Sequence, residues 1–318
     1  MPHMANTQTN DFSKGSVAGN ILRLALPMTV AQLINVLYSV VDRMYLGRLP
    51  GHLALTGLGL TIPIISIIMG FANLCGTGGA PLCSIHRGRG DNEEAECVLG
   101  NAFTLLLIFG TAVTVFFLAL RRPVLYLFGA SDATYPYASA YMTIINSLRE
   151  VCTMPVQGLS NGAQPVTGFN YGAKKYERVR QSIRFSVTGT VLYAAAFWAI
   201  AMLFPGFLIR IFNNEPDVIQ HGIPALRIYF CLFIPMSLQM AGQGVFVSLG
   251  RSKQAVFFSL LRKAIINAPL TVILPIWMGT TGVFTAEAVS QLLGGMACIL
   301  TMYFTVYRKL GTEAARTV

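Results

Sequence analysis

Two acidic residues, Asp42 and Glu287, lie inside long apolar runs of this chain and are its strongest candidates for chemistry. A carboxylate at the centre of a membrane helix costs about 2.5–3.5 kcal/mol on insertion scales, which makes such a residue a functional-site hypothesis by default. Because burial disfavours the charged form of a carboxyl group, each acid is a candidate for cation coupling, by binding a proton or a small cation. There are alternatives. Asp42 is hydrated or paired close to the outer interface, beside Arg43. Glu287 faces the substrate, or it is a packing acid hydrogen-bonded to a polar neighbour such as Thr285 or Gln291.

A second group of candidates comprises two prolines and three polar side chains in or near apolar runs. Pro27 lacks an amide hydrogen and clashes with the preceding turn, so it can bend the first helix; a proline tolerated near a helix start is the alternative. Pro165 is a second candidate bend, because an apolar run breaks there towards a polar loop. Gln164, Asn170 and Gln239 are candidates for lining a cavity, with helix packing as the alternative.

These residues must be positioned by membrane helices. The 318 residues are 54% hydrophobic and 11% charged, whereas about 25% charged residues is usual in soluble proteins. Apolar runs of about 20 residues, long enough to cross a bilayer, recur along the chain. The sequence predicts an all-α polytopic membrane protein with about eight transmembrane helices, at 22–47, 55–86, 98–120, 138–169, 183–205, 223–249, 254–278 and 282–307.

The charge distribution predicts the orientation and excludes several functions. The net charge of +10 is spread over short loops, so it indicates a positive-inside bias and not a nucleic-acid surface. It predicts a multi-pass plasma-membrane protein (the bacterial inner membrane) with both termini in the cytoplasm. No zinc-protease motif and no Ser–His pairing occurs in the spans, so we expect no enzyme, no catalytic residue and no cofactor. The six cysteines are irregularly spaced in mostly apolar surroundings, which favours free thiols over a metal site.

Two stretches of the sequence repeat each other 84 residues apart. The matched positions are Gly78 with Gly162, Pro81 with Pro165, Gly88 with Gly172, Glu93 with Glu177 and Phe128 with Phe212. Both copies run from the outer to the inner side in the predicted orientation, so they are parallel repeats. The first span and the last three spans have no counterpart. A protein built from two related lobes should pair every helix, so helices are missing.

Four segments of the chain resemble the multidrug and toxic compound extrusion family of cation-coupled antiporters, in its bacterial branch. They are Leu24-Ala-Leu-Pro27; Asn35 to Asp42 with Gly47-Arg48; Gly158 to Pro165 with Gly168 to Ala173; and Pro235 with Gln239 and Ser248-Leu-Gly250. The resemblance implies two six-helix lobes, about twelve helices in all. It also implies that Asp42 is the cation- or proton-binding acid of the first lobe, and that a bend at Pro27 couples its protonation to the drug cavity.

Mapped on that plan, the chain changes lobes at Ile144-Ile145. Residues 1–144 would be a remnant of the first lobe, with helices one to three and the start of helix four. Residues 145–318 would be a remnant of the second lobe, with helices eight to twelve. The family's second-lobe cation site uses acids on helices seven and ten; helix seven is absent here, and helix ten carries Met236 and Gln239 instead. Protons are therefore expected as the coupling ion, with Na⁺ as the alternative.

The resemblance implies an antiporter that exports amphipathic, cationic, drug-like compounds while a cation flows inward. Its partners would be those small molecules and the lipid bilayer, with no nucleic acid and no required oligomer. Two alternatives stay open. One is an internally deleted remnant that inserts in the membrane without transporting, and the other is a related flippase for lipid-linked saccharides.

Overall fold

The computed structural model describes residues 11–46, 78–119, 135–211, 216–278 and 280–316. These residues are almost entirely helical, and no strand occurs among them. The helices are α1 (Val17–Leu46), α2 (78–89), α3 (Asn92–Ala119), α4 (Tyr135–Gly172), α5 (Tyr176–Leu203), α6 (Pro205–Arg210), α7 (Pro216–Phe230), α8 (Phe233–Ser248), α9 (Ser252–Leu260), α10 (Ala268–Met278), α11 (Thr280–Met302) and α12 (Arg308–Arg316). Two π-helical segments, Leu261–Asn267 and Tyr303–Tyr307, join α9 to α10 and α11 to α12.

Several of these helices are long and apolar enough to cross a membrane. Within the described ranges there are five, at Val17–Ile34, Asn92–Ala112, Tyr176–Leu203, Ser252–Leu274 and Thr285–Ala315, or six if the bent pair Gly222–Phe230 and Phe233–Ser248 counts as one span. The predicted all-α polytopic class is confirmed. Most of the predicted span 55–86 falls outside the described residues. The predicted span 138–169 is the middle of α4, a helix that carries many amides and small residues and is not counted among the five.

The predicted single span 223–249 is instead broken between α7 and α8, with a bend of 41°. Pro235 lies in the first turn of α8 and has no amide hydrogen, so it cannot donate to the carbonyl of Cys231 four residues earlier. The indole Nε1 of Trp198 in α5 donates to that carbonyl oxygen at 3.2 Å. A backbone break inside a membrane is tolerated where neighbouring groups satisfy the freed carbonyl, as Trp198 does here.

Small residues bring α4 close to helices on both sides. A Cβ atom at Gly158 would overlap Thr29 of α1, and one at Gly162 would overlap Ala25 of α1. On the other side, a Cβ at Gly244 of α8 would overlap the hydroxyl of Ser160. Glycine lets helix backbones approach within van der Waals contact, which is the main source of helix association in lipid. Helix α4 is therefore the central packing element of the described fold.

The repeated segments pack against each other in a reciprocal way. A Cβ at Gly88 of α2 would overlap the carbonyl of Phe169, and a Cβ at Gly172 would overlap the carbonyl of Ile85. At the repeat offset, Gly88 corresponds to Gly172 and Ile85 corresponds to Phe169. The two contacts are therefore related by a local two-fold axis, because exchanging each residue for its counterpart in the other repeat turns one contact into the other. This is the geometry that the parallel repeat predicts.

Large apolar side chains occupy both the interior and the outer faces of the described helices. Phe197, Phe230 and Phe233 form one buried cluster between α5, α7 and α8, with ring centroids 5.5–5.7 Å apart. By contrast, Phe103 on α3 and Trp277 on α10 are exposed. Large exposed apolar faces are expected on helices that meet lipid.

Candidate functional site

Glu287 lies on α11 inside a cluster of neutral polar side chains. Its carboxylate is half-buried, and each oxygen accepts one hydrogen bond. The Nδ2 of Asn267 donates to Oε2 at 2.9 Å, and the Nε2 of Gln291 donates to Oε1 at 3.2 Å. Gln291 is one helical turn beyond Glu287, whereas Asn267 comes from the preceding helical segment. The expected hydrogen bond between Glu287 and Gln291 is present.

Asn267 is held in place by its own neighbours. It is the last residue of the π-helical segment Leu261–Asn267, and the hydroxyl of Thr271 donates to its backbone carbonyl at 2.8 Å. The same hydroxyl lies 3.4 Å from the side-chain oxygen of Asn267, so the amide's acceptor is turned towards Thr271 and its donor towards Glu287. π-Helical turns are rare and occur frequently at functional sites. Here the turn ends on the residue that contacts the acid.

Gln291 has one atom that the cluster leaves unsatisfied. Its side chain is 1% exposed, and its Oε1 has no hydrogen-bond partner among the described residues. An unpaired buried carbonyl oxygen costs about 1–3 kcal/mol, so an available donor would be bound there. A protonated carboxyl group is such a donor, provided that the amide of Gln291 turns over. The arrangement can therefore hydrogen-bond the acid in either protonation state.

No charged group in the described ranges forms an ion pair with Glu287; ion pairs that occur elsewhere in those ranges include Lys14–Asp11, His86–Asp91 and Arg180–Glu177. The described hydrogen-bond partners of this carboxylate are therefore neutral amides. Glu287 with Asn267, Thr271 and Gln291 is called the Glu287 cluster below; it places an acid among neutral polar side chains within apolar helices.

The other candidate acid is on α1. The backbone of Asp42 is helical, close to the end of α1 at Leu46, and its side chain lies outside the described residues. Pro27 is inside α1, with its ring exposed, and the helix continues through it. The structure therefore does not bring Asp42 and Glu287 together in the described part, and their roles stay predictions.

Asn170 lies at the end of α4 in a polar junction with the N-terminal segment. Its side chain is fully buried, and its Nδ2 donates to the carbonyls of Phe12 at 3.1 Å and Val166 at 2.8 Å. Its Oδ1 accepts from the Nε of Arg178 at 3.2 Å. The guanidinium of Arg178 also donates to the carbonyls of Phe12, Lys14 and Gly15 at 2.9–3.1 Å. Asn170 and Arg178 therefore fasten the segment before α1 to α4 and α5.

The remaining candidates occupy separate places. Gln164 is half-buried on α4 and donates to the side chain of Asn161 at 3.3 Å. Its neighbour Pro165 lies inside α4, which continues through it. Gln239 on α8 is 2% exposed, donates weakly to the carbonyl of Phe258 at 3.4 Å, and has an unpartnered Oε1. These residues do not join the Glu287 cluster through any of their hydrogen bonds.

Reasoning from the sequence missed Asn267 and Arg178. Asn267 was detectable as an amide inside an apolar run, but its contact with Glu287 depends on the register between two consecutive helices. Arg178 carried no signal, because it is one of several basic residues close together in the sequence at the start of α5. Three of its partners are backbone carbonyls more than 160 residues away.

Comparison with known proteins gives a family model that matches twice. The model, described as MatE, matches residues 27–146 and again residues 142–273. Together the matches cover most of the chain, and they meet inside α4.

Similar curated proteins are multidrug exporters. The multidrug export protein MepA of Staphylococcus saprophyticus is 28% identical over 142 residues, which are 45% of this chain and 32% of the relative. MepA of Staphylococcus haemolyticus is 27% identical over 141 residues, or 44% of this chain and 31% of the relative. The matched segment thus spans about a third of the length of these curated relatives.

Solved structures with a similar fold are transporters as well. An outward-facing multidrug resistance MATE family transporter of the MOP superfamily aligns with a TM-score of 0.84 at 14% identity, covering 97% of this chain and 100% of that chain. The MATE multidrug transporter DinF-BH, solved in complex with a drug-like ligand, aligns with a TM-score of 0.78 at 22% identity, covering 95% of this chain and 97% of that chain. At such low identity these matches bear on the fold alone.

Proposed function

The chain belongs to the MatE family, and from that premise we propose that it is a proton-coupled antiporter that exports amphipathic, cationic compounds. The coarser statement, a multi-pass membrane protein of a multidrug efflux family, follows from the family matches and the apolar helices. Proton coupling, the substrate class and the cytoplasmic position of both termini are the parts that we add. The observation that carries the proposal is the Glu287 cluster.

The cluster suits a proton better than a sodium ion. Sodium is bound by several oxygen ligands, whereas the two groups that face the carboxylate of Glu287 present NH₂ donors to it. Entry of a sodium ion would require both amides to turn. A proton requires one rearrangement, the rotation of the Gln291 amide, and that rotation gives the unpartnered Oε1 a donor.

Coupling then consists of a change in packing. In the ionised state, the carboxylate of Glu287 accepts from Gln291 on its own helix α11 and from Asn267 at the end of the π-helical segment before α10. In the protonated state the carboxyl donates to Gln291, and the bond from Asn267 weakens because its acceptor is no longer charged. The contact between the two helices thus depends on the proton. Asp42 would supply the corresponding group in the first lobe.

The substrate class is supported by the relatives. Those matched in sequence are named multidrug export proteins, and one structural neighbour was solved with a drug-like ligand. We propose that this chain takes compounds with a flat aromatic body and a positive charge. Such compounds are attracted by a carboxylate and by aromatic ring faces.

The test is drug accumulation in bacterial cells that lack their own efflux pumps. Cells expressing the chain should accumulate less ethidium than cells with an empty vector, and a proton uncoupler should abolish the difference. Glu287→Gln and Asp42→Asn should each remove the uncoupler-sensitive part, while Glu96→Gln, which alters an exposed acid of α3, should leave it intact. Efflux that depends on Na⁺ and survives the uncoupler would overturn proton coupling.

One observation favours a second candidate, a remnant that inserts without transporting. The family model ends its first match at residue 146 and begins its second at residue 142, so the two lobes would meet inside the single helix α4. This supports two remnants, 1–144 and 145–318, joined at Ile144-Ile145, with most of helix four and helices five to seven missing.

A repaired chain distinguishes the two candidates. The corresponding helices of MepA from Staphylococcus saprophyticus would be inserted between Ile144 and Ile145, and both chains would be quantified in membranes before transport is measured. If the native chain is present in the membrane but exports no ethidium, and the repaired chain exports it, the native chain is a non-transporting remnant. Equal export by both chains would overturn it.

A further inference from the structure

A small cavity lined by hydroxyl groups lies between α4, α5 and α8, separate from the Glu287 cluster. Its hydroxyls are those of Ser160 and Thr167 on α4, Ser186 and Thr190 on α5, and Ser248 on α8. The centre of a water molecule can move within about 10 Å³ there. A cavity of about 10–15 Å³ on this measure is what one water molecule needs.

Two of these hydroxyl groups have no partner. Ser186 and Thr190 are 5% and 1% exposed, and the Oγ of Ser186 and Oγ1 of Thr190 make no hydrogen bond among the described residues. The two residues are one helical turn apart, so both face the cavity from α5. One turn earlier on the same face, Ser182 is paired with Thr167 at 2.6 Å. The stripe of hydroxyls on α5 is thus satisfied at one end and unsatisfied at the cavity.

Unsatisfied hydroxyl groups are especially unfavourable in this position. In a soluble protein water reaches most polar groups, but a helix within a bilayer has no bulk water nearby. Serine and threonine in membrane helices commonly donate to the carbonyl four residues earlier, as Ser248 does to Gly244 at 2.6 Å. Ser186 and Thr190 make no such bond. Their hydroxyls therefore remain available to a ligand in the cavity.

We propose that the cavity binds one water molecule, which joins α5 to α4 and α8. The water accepts from Ser186 and Thr190 and donates to the remaining lone pairs of Ser248 and Ser160. These four partners match the two to four that a buried water requires. On α5, Thr167 already provides the hydrogen-bond partner of Ser182. The water provides the partner that Ser186 and Thr190 lack.

A cation is a poorer occupant of the same cavity. The described side chains that line it are hydroxyl-bearing or apolar, such as Ile183 and Val245, and none is charged. A cation there would lose its hydration without a compensating negative charge, which costs several kcal/mol even after relaxation. Water carries no such penalty and supplies both donors and acceptors.

The sign of one stability change tests the proposal. Thr190→Val replaces the hydroxyl by a methyl group of similar size, so it opens little space. If a water is bound, this change removes one of its partners, and the melting temperature of the purified protein should fall by a few degrees. If the cavity is dry, it removes an unsatisfied polar group, and the melting temperature should rise. An unchanged or higher melting temperature therefore overturns the proposal.

Thr188→Val is the matched control, because Thr188 lies on the same helix with its side chain exposed, and it should have little effect. The melts are run in sodium chloride and in choline chloride. A fall caused by Thr190→Val that is the same in both salts supports water. Sodium could instead raise the melting temperature of the wild type but not that of Thr190→Val. That result would show a cation site and overturn the proposal that the cavity binds water.

A second measurement uses the wild-type protein and does not depend on a variant folding. Short X-ray pulses split bound water into hydroxyl radicals, which oxidise the side chains beside it. Ile183 and Val245 line the cavity, so we expect them to be oxidised at the rate typical of residues next to ordered water. Labelling no faster than that of apolar side chains away from the cavity would overturn the proposal.

Discussion

Among single residues, Asn267 connects Glu287 to a neighbouring part of the fold. Its amide is one of two donors to the carboxylate, and it reaches the acid from a different helical segment. A hydrogen bond to a charged group contributes about 1.5–3 kcal/mol, which is more than a bond between neutral groups. Asn267 therefore helps to hold α11 against the helical segment that precedes α10.

Replacing Asn267 by leucine should weaken uncoupler-sensitive transport. With one of its two donors removed, the carboxylate of Glu287 is no longer held by the helical segment before α10. Loss of a hydrogen bond to a charged group costs about 1.5 kcal/mol or more, and 1.4 kcal/mol corresponds to about a factor of ten. Ethidium efflux should therefore fall by about tenfold, measured in inverted vesicles with an imposed proton gradient.

Asn101→Leu serves as the control, because Asn101 is exposed on α3 and bonds to Cys97. Its ethidium efflux should match that of the wild type. Undiminished efflux in Asn267→Leu would contradict the proposed role of the Glu287 cluster.

Arg178 is the second decisive side chain, because its guanidinium donates to three carbonyls of the N-terminal segment. A lysine keeps the charge but cannot reproduce this planar set of donors. Loss of one charge-assisted bond costs about 1.5 kcal/mol, which makes local opening about tenfold more frequent. In Arg178→Lys, trypsin should cleave after Lys14 about tenfold faster, as followed by mass spectrometry.

Arg184→Lys is the matched control, since Arg184 is exposed on the same helix. Equal cleavage rates in Arg178→Lys and Arg184→Lys would show that the N-terminal segment is held by other contacts.

At the scale of elements, the close crossing of α1 and α4 depends on Gly162. A Cβ there would overlap backbone and side-chain atoms of Ala25, and backbone atoms cannot be moved aside as a flexible side chain can. Gly162→Ala should therefore separate the helices and lower the free energy of unfolding by about 1–3 kcal/mol.

Gly100→Ala on α3 provides the opposite expectation, because a Cβ there meets no atom within 4 Å. It should stabilise slightly, since alanine favours helix over glycine by up to about 1 kcal/mol. Thermal melts in detergent compare the two. If Gly162→Ala melts at or above the wild-type temperature, α1 and α4 do not cross as closely at Gly162 as the structure shows.

The sequence predicted the helices well and their irregularities poorly. Hydropathy and length sufficed for the spans that became α1, α3 and α5, because burial in lipid demands one continuous apolar run. The break before Pro235 was hidden, since it depends on Trp198 reaching the carbonyl of Cys231 from another helix. The π-helical segment before Ala268 was also hidden, because side-chain patterns do not report a change in backbone hydrogen bonding.

The candidate site was predictable to the same limited extent. Glu287 and Gln291 are four residues apart, so their contact follows from helical geometry alone. Asn267 is 20 residues away from Glu287, and its contact exists only because two consecutive helices pack in one register. A single sequence does not encode that register in any local pattern.

For the whole molecule, the two-fold relation between the repeats leads to a prediction about paired substitutions. Gly88 contacts the carbonyl of Phe169, and its counterpart Gly172 contacts the carbonyl of Ile85, so both glycines lie in one interface on opposite sides of the axis. Gly88→Ala and Gly172→Ala should each force the segments apart and lower stability by similar amounts, about 1–3 kcal/mol.

The double variant should cost less than the sum of the single ones. Once either alanine has separated the segments, the second enters space that is already open, and neighbouring substitutions are then not additive. Melts of the four proteins in one detergent form the cycle, and Gly110→Ala, where a Cβ meets nothing within 4 Å, controls for helix propensity. Unequal single effects with strict additivity would mean that the two halves do not share this interface. Equal, non-additive effects would establish that the two repeats pair across one shared interface, as related lobes do.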